Sequence, residues 1–165
     1  MPSTKIHIFK GPVHSGKTFR LLNWADGLQS IDGIAAPLIN SSRYLLHISS
    51  RKKKLLQLPL KTQNLNTEKV GPYIFSKDTF GWARKILLDC MDKNLDWLVI
   101  DEIGLLELDG RGLEPAVTEI LKCENCSIKH IVLVVRDNLV SRVFKHYEFS
   151  NRGIFYFDPE NSRGL

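Results

Sequence analysis

Apolar residues fall along this chain in two rhythms: short unbroken or alternating runs, and longer stretches with a period near four. KIHIF (residues 5–9) alternates lysine and histidine with apolar residues and reads as a strand. In DWLVIDEIG (96–104) the residues Trp97 to Ile100 run unbroken into two acids, and KHIVLVVRD (129–137) is apolar from Ile131 to Val135. Unbroken runs of this kind mark strands buried on both faces, as in parallel sheets. PYIFS (72–76) and GIFYFDP (153–159) read as further strands.

Helical spacing appears between these strands. FRLLNWADGLQS (19–30) places Phe19, Leu22 and Ala25 at helical intervals and ends near Gly27. KDTFGWARKILLDCMDKN (77–94) puts Phe80, Ala83, Leu87 and Cys90 or Met91 on one face, with Ser76 or Asp78 as the cap. GRGLEPAVTEILKC (110–123) holds Pro115 near a first turn, where proline is tolerated, and NLVSRVFKHY (138–147) forms a last helix. Alternating strands and helices predict an α/β fold with a largely parallel sheet covered on both faces. DGIAAPLIN, SRYLLHISS and KKLLQLPL interrupt that order and predict an antiparallel meander inserted at about 31–60. The polar segment KTQNLNTEKVG (61–71) lacks periodicity and reads as an exposed loop.

Composition narrows the class. The 165 residues suit one domain, 1–165, and 43% hydrophobic against 25% charged residues argues for a folded core rather than disorder. A formal charge of +5 suits anionic ligands without separating nucleotide from nucleic acid. No apolar run is long enough for a membrane span, MPSTKIH has no apolar signal region, and the expected location is the cytoplasm, as a monomer. Three cysteines, Cys90, Cys123 and Cys126, argue against a disulfide framework. CENC with His130 and Cys90 offers a zinc set, but a single C-x-x-C at a helix end reads better as a plain turn.

The chemistry concentrates in GPVHSGKTFR (11–20), which fits G-x-x-x-x-G-K-[ST] between a strand and a helix. In such a loop successive backbone N–H groups surround a phosphate and the helix N-terminus adds positive charge. Gly11, Pro12, Val13, His14, Ser15, Gly16, Lys17, Thr18 and Phe19 are the candidate nucleotide-binding residues, with His14 a lining residue. Lys17 can reach the β and γ phosphates, and the Thr18 hydroxyl can ligate Mg2+. A loop of this type calls for an apolar strand ending in an acid, which LVIDE supplies. Asp101 is the second candidate metal ligand, directly or through water, and Glu102 is the candidate that polarises an attacking water. Arg136 ends HIVLVV; if that strand lies beside both the loop strand and LVIDE, its carboxyl end faces the γ-phosphate. Pairing with Asp137 or solvent is the alternative for Arg136. Glu107 and Arg111 either touch the site or lie in a solvated loop. Arg51, Lys52, Lys53 and Lys54 form a basic run that reads as a solvated turn or as a nucleic-acid contact.

GPVHSGKT near the start, DEIGLLEL in the middle and VLVVR before the last helix together resemble the small P-loop nucleoside-triphosphatases first described from a thermophile, with human cancer-related members. The resemblance covers nearly the whole chain. It implies a RecA-like strand order and Mg2+-dependent hydrolysis of NTPs (ATP, GTP and others) to NDP and phosphate, with Lys17, Thr18, Asp101, Glu102 and Glu107 matching its motifs. Leu105 and Leu106 stand where the family has lysine and methionine, Phe19 where it often has threonine, and GIAAPLIN lacks the family's acid and arginine. Two other readings use the same loop: a kinase, in which a bound acceptor replaces water, and a nucleotide-binding switch or nucleic-acid-coupled module. No arginine lies in 61–71 to make a kinase-type lid.

Overall fold

A computed structural model describes residues 3–62, 66–149 and 153–162. Its strands are β1 (Lys5–Gly11), β2 (Ile31–Ala35), β3 (Leu38–Ile39), β4 (Ser42–His47), β5 (Lys53–Leu55), β6 (Gln57–Leu58), β7 (Thr67–Val70), β8 (Tyr73–Ser76), β9 (Leu95–Ile103), β10 (Ile128–Arg136) and β11 (Ile154–Tyr156). The helices are α1 (Lys17–Ala25), α2 (Lys77–Asp89), α3 (Leu105–Leu108), α4 (Ala116–Lys122) and α5 (Val140–His146).

The main sheet runs β11-β1-β10-β9-β2-β4-β3, with β5 pairing β4. From β11 to β2 every pairing is parallel, and β10 lies between β1 and β9. The carboxyl ends of the loop strand, the acid strand and the arginine strand therefore share one edge. Strand β2 is more central than its place in the expected meander suggests. It pairs parallel with β9 on one side and antiparallel with β4 on the other, so the antiparallel part starts only beyond it. The cause is the burial of all five of its residues, which makes it an interior strand.

Both faces of the sheet are covered, which accounts for the unbroken apolar runs. Ile6, Ile8, Leu98, Ile100, Ile131 and Leu133 face α2, α4 and α5; Phe9, Trp97, Val99, Val132 and Val134 face α1. Leu98, Ile100 and Leu133 are fully buried, each worth about 2 kcal/mol in area removed from water. His7 turns toward the α1 face and is buried, although its polarity suggests an outward position. On α1 the core takes Leu21, Trp24 and Ala25, while Phe19 points to solvent. The buried stripe is displaced by two residues, Leu21 and Trp24 in place of Phe19 and Leu22, which turns Phe19 away from the sheet. Helix α2 keeps its expected face and is capped by Ser76, whose hydroxyl accepts from the Thr79 amide at 3.2 Å.

Residues 67–70 of the expected polar loop form a strand, β7, because β8 offers it a ladder; residues 63–65 lie outside the described residues. With β6 they make a separate antiparallel sheet, β6-β8-β7. The CENC turn carries a disulfide between Cys123 and Cys126, whose Cα atoms lie 5.8 Å apart, within bridging range once α4 ends at Lys122. Cys90 is buried and free, and His130 Nδ1 lies 3.0 Å from His7 Nε2, so neither turns toward the CENC pair.

Candidate active site

Strand β1 ends at Gly11, the chain turns through residues 12–16, and α1 starts at Lys17. The turn needs left-handed backbone at His14 (φ 58°) and Gly16 (φ 77°). At Gly11 an added Cβ would lie 3.1 Å from the Ser15 hydroxyl and 3.2 Å from the Lys17 stem, so a side chain there would push both by a few tenths of an ångström. The Lys17 ammonium donates to Gly11 O (3.0 Å), Pro12 O (2.6 Å) and the Ser15 hydroxyl (3.3 Å). Burial lowers its pKa, while the charges of Glu102 and Asp101 oppose that shift.

Thr18, the second residue of α1, reaches the acid strand. Its hydroxyl donates to Asp101 Oδ2 at 2.8 Å, and the Ala36 amide donates to the same oxygen at 2.9 Å. Asp101 Oδ1 is buried and has no hydrogen-bond partner among the described residues. Burial, and secondarily the charge of Glu102, pushes the Asp101 pKa up to about 6. A carboxylate oxygen buried without a donor, beside a hydroxyl, is an all-oxygen set suited to a hard divalent cation.

Glu102 departs from ordinary strand geometry. Between the pairs Leu133↔Ile100 and Val135↔Ile103, β9 has one residue more than β10, and Glu102 takes φ 65° at this bulge. Bulges re-aim side chains, and here Glu102 lines the same cavity as Asp101 although the two are adjacent in sequence. Its carboxylate sits between two guanidinium groups, Arg136 at 3.6 Å and Arg43 at 3.7 Å. Arg136 thus pairs with Glu102 rather than with Asp137.

Arg43 is the residue that sequence reasoning missed. It lies on β4, donates to Ala36 O at 2.7 Å and places its charge at Glu102. GIAAPLIN has no arginine, and the strand after it supplies one across the antiparallel pairing. The only sequence signal was a lone arginine in SRYLLHISS, a segment without a motif.

The cavity at this edge measures about 400 Å³. Val13, His14, Ser15, Gly16, Lys17, Thr18 and Phe19 line it together with Arg43, Asp101, Glu102 and Arg136. Gly11 and Pro12 stay behind the lining and meet Lys17 through their carbonyls. Glu107 is not in a solvated loop: it is 4% exposed and accepts from the Gly104 amide and the Leu113 amide, each at 3.0 Å. Burial pushes its pKa up to about 7, against those two bonds. It anchors the turn after β9, whereas Arg111 pairs with Asp109 at 2.8 Å and does not line the cavity. Three members of the basic run are engaged within the chain. Arg51 pairs with Asp26, Lys53 lies over the Tyr44 ring at 5.5 Å and Lys54 over the Trp82 ring at 5.4 Å.

The sequence profile of the NTPase family, NTPase_1, matches residues 8–163, which include every residue of the cavity described above. The chain belongs to this NTPase family. No curated protein sequence matches it. Among solved structures, the NTPase resembles THEP1 from the hyperthermophile Aquifex aeolicus with a TM-score of 0.70 at 20% identity, over 96% of this chain and 93% of that one. It also resembles a human cancer-related nucleoside triphosphatase with a TM-score of 0.65 at 21% identity, over 96% of this chain and 91% of that one. At these identities the likeness is one of fold. Membership of the family makes it a nucleotide-binding hydrolase that acts on nucleoside triphosphates. Among the described residues, no helix of this NTPase is long and apolar enough to cross a membrane.

Proposed function

We propose that this NTPase is Mg2+-dependent and hydrolyses ATP, GTP and related nucleoside triphosphates to the diphosphate and phosphate at the 400 Å³ cavity. The observation that carries the reading is the 2.8 Å bond between Thr18 and Asp101, which joins the glycine loop to the acid strand with Glu102 alongside. Thr18 Oγ1 and Asp101 Oδ1 would hold the metal, whose charge, when bound, draws electron density from the phosphate oxygens. The amides of residues 13–17 cradle the phosphates, and the Lys17 ammonium turns from the Gly11 and Pro12 carbonyls toward them. Glu102 accepts a hydrogen bond from the attacking water and then its proton, with Arg43 and Arg136 fixing the carboxylate. Arg136 also lies in reach of charge that builds on the γ-phosphoryl group. Leu22, Pro37 and Leu38 give the cavity an apolar side wall that favours no particular base. The same reading makes the protein a monomer of the cytoplasm.

The test is phosphate release from ATP and GTP, with Mg2+ and with EDTA, by wild type and Glu102→Gln. The expected loss in the variant is on the order of a hundredfold or more, with nucleotide affinity retained. Equal rates in the two proteins would remove Glu102 from the reaction, and full activity in EDTA would remove the metal.

A further inference from the structure

A second cavity, larger than the first, lies on the other side of Glu102. It measures about 560 Å³, within the usual range for organic ligands and roughly twenty times the share of one water molecule. None of residues 11–19 lines it, but Asp101, Glu102 and Arg136 line both cavities. One wall comes from the separate β6-β8-β7 sheet through Val70, Tyr73 and Phe75; Leu45, Leu56 and Leu113 supply much of the rest. Polar groups gather at three places: the shared wall, Glu107, whose carboxylate is occupied by the Gly104 and Leu113 amides, and Asn138 with Arg142, whose guanidinium makes no ion pair among the described residues. Activating a water needs room for a water. An apolar chamber of this size, opening on the reactive carboxylate, fits an organic second substrate.

We propose that this chamber binds a hydroxyl-bearing small molecule with an apolar body and an acidic tail, and that its hydroxyl takes the γ-phosphoryl group of the NTP. The apolar body lies against Phe75, Leu56 and Leu113, the acidic tail meets Arg142, and the hydroxyl meets Glu102. In the step, the hydroxyl oxygen bonds to the γ phosphorus while the bond to the β–γ bridging oxygen breaks. The nucleoside diphosphate leaves with that electron pair, and the hydroxyl proton passes to the Glu102 carboxylate and on to solvent. The products are the diphosphate and a phosphomonoester. This rests on the role given to Glu102 above and adds the acceptor; water is the competing nucleophile when the chamber is empty of acceptor.

The experiment follows label from γ-labelled ATP with Mg2+ in the presence of three probes: a hydroxymethyl naphthoate, an ω-hydroxy fatty acid, and a deproteinised small-molecule cell extract. Wild type is compared with Val70→Trp, which fills the chamber from its partly exposed edge, and with Arg142→Glu on the surface. The readout is the partition of label between phosphomonoester and inorganic phosphate. A phosphomonoester from wild type is expected, with the partition moved at least tenfold toward inorganic phosphate in Val70→Trp. Arg142→Glu should raise the KM of the acidic probes about tenfold without changing kcat. Label appearing only as inorganic phosphate with all three probes, or an equal partition in wild type and Val70→Trp, overturns the acceptor while leaving hydrolysis standing. A chamber-dependent phosphomonoester without free phosphate sustains the acceptor and overturns hydrolysis.

Discussion

The Thr18 hydroxyl donates to Asp101 across 83 residues of chain, at 2.8 Å, and leaves the second oxygen of that carboxylate buried without a donor. Metal binding should therefore be visible as stability. With Mg2+ and a non-hydrolysable NTP at about a hundred times its Kd, wild type should gain about 3 kcal/mol in unfolding free energy. Thr18→Val and Asp101→Asn should lose most of the Mg2+-dependent part of the gain, and Thr18→Ser should keep it. Thermal unfolding with and without EDTA gives the comparison; an undiminished Mg2+ response in Asp101→Asn would show that the metal is held elsewhere.

Glu102 carries a φ of 65° next to the carboxyl end of β9. Left-handed backbone costs a residue with a Cβ roughly 1 kcal/mol, and glycine is spared it. The ion pairs to Arg43 and Arg136 are long and partly exposed, so each contributes less than about 1 kcal/mol. Glu102→Gly should thus unfold at the same urea concentration as wild type or higher, while phosphate release falls. A large loss of stability would mean that the carboxylate, not the bulge, holds this turn.

Gly33 packs β2 against β9 so closely that an added Cβ would meet Val99 O at 2.0 Å, with φ at 126°. Gly33→Ala should cost more than about 3 kcal/mol or prevent folding. Gly71→Ala is the control: its φ is 54° but nothing lies within 4 Å of the added atom, so the cost should stay near 1 kcal/mol. Equal midpoints for the two variants in urea would refute the close approach of the strands.

His7 and His130 share a hydrogen bond at 3.0 Å beside Trp97, at the end of the sheet opposite the active site. Burial, then the charges of His130 and Lys5, lowers the His7 pKa from 6.5 to about 4. The folded protein keeps His7 neutral where the unfolded chain binds a proton. Stability is therefore full above pH 6.5 and falls as the pH drops toward 4, by at most about 3 kcal/mol for this group. His7→Phe should flatten the unfolding midpoint over that range, and a slope equal to wild type would assign the loss to other groups.

The unbroken runs 97–100 and 131–135 identified interior parallel strands because burial on both faces leaves no polar positions. The glycine loop was equally legible, since its chemistry depends on residues adjacent in the chain. Glu107 was less so: a glutamate after DEIGLL reads the same whether solvated or bonded to two amides, and only the fold brings Leu113 back to it. The strand β7 was hidden for a similar reason, because a polar edge strand has no periodicity of its own and takes its conformation from the partner ladder.

By itself the sequence determined the glycine loop, the acid pair and the interior parallel strands with their main helices, all of them consequences of local spacing and of residues that must be apolar. Tertiary structure alone decided that β10 separates β1 from β9, that Arg43 crosses from β4 to Glu102, and that a second cavity shares Asp101, Glu102 and Arg136 with the first. Those relationships arise from strand pairing between distant segments. Many pairings satisfy the same hydrophobic pattern, and the choice among them is made by how all the faces pack at once.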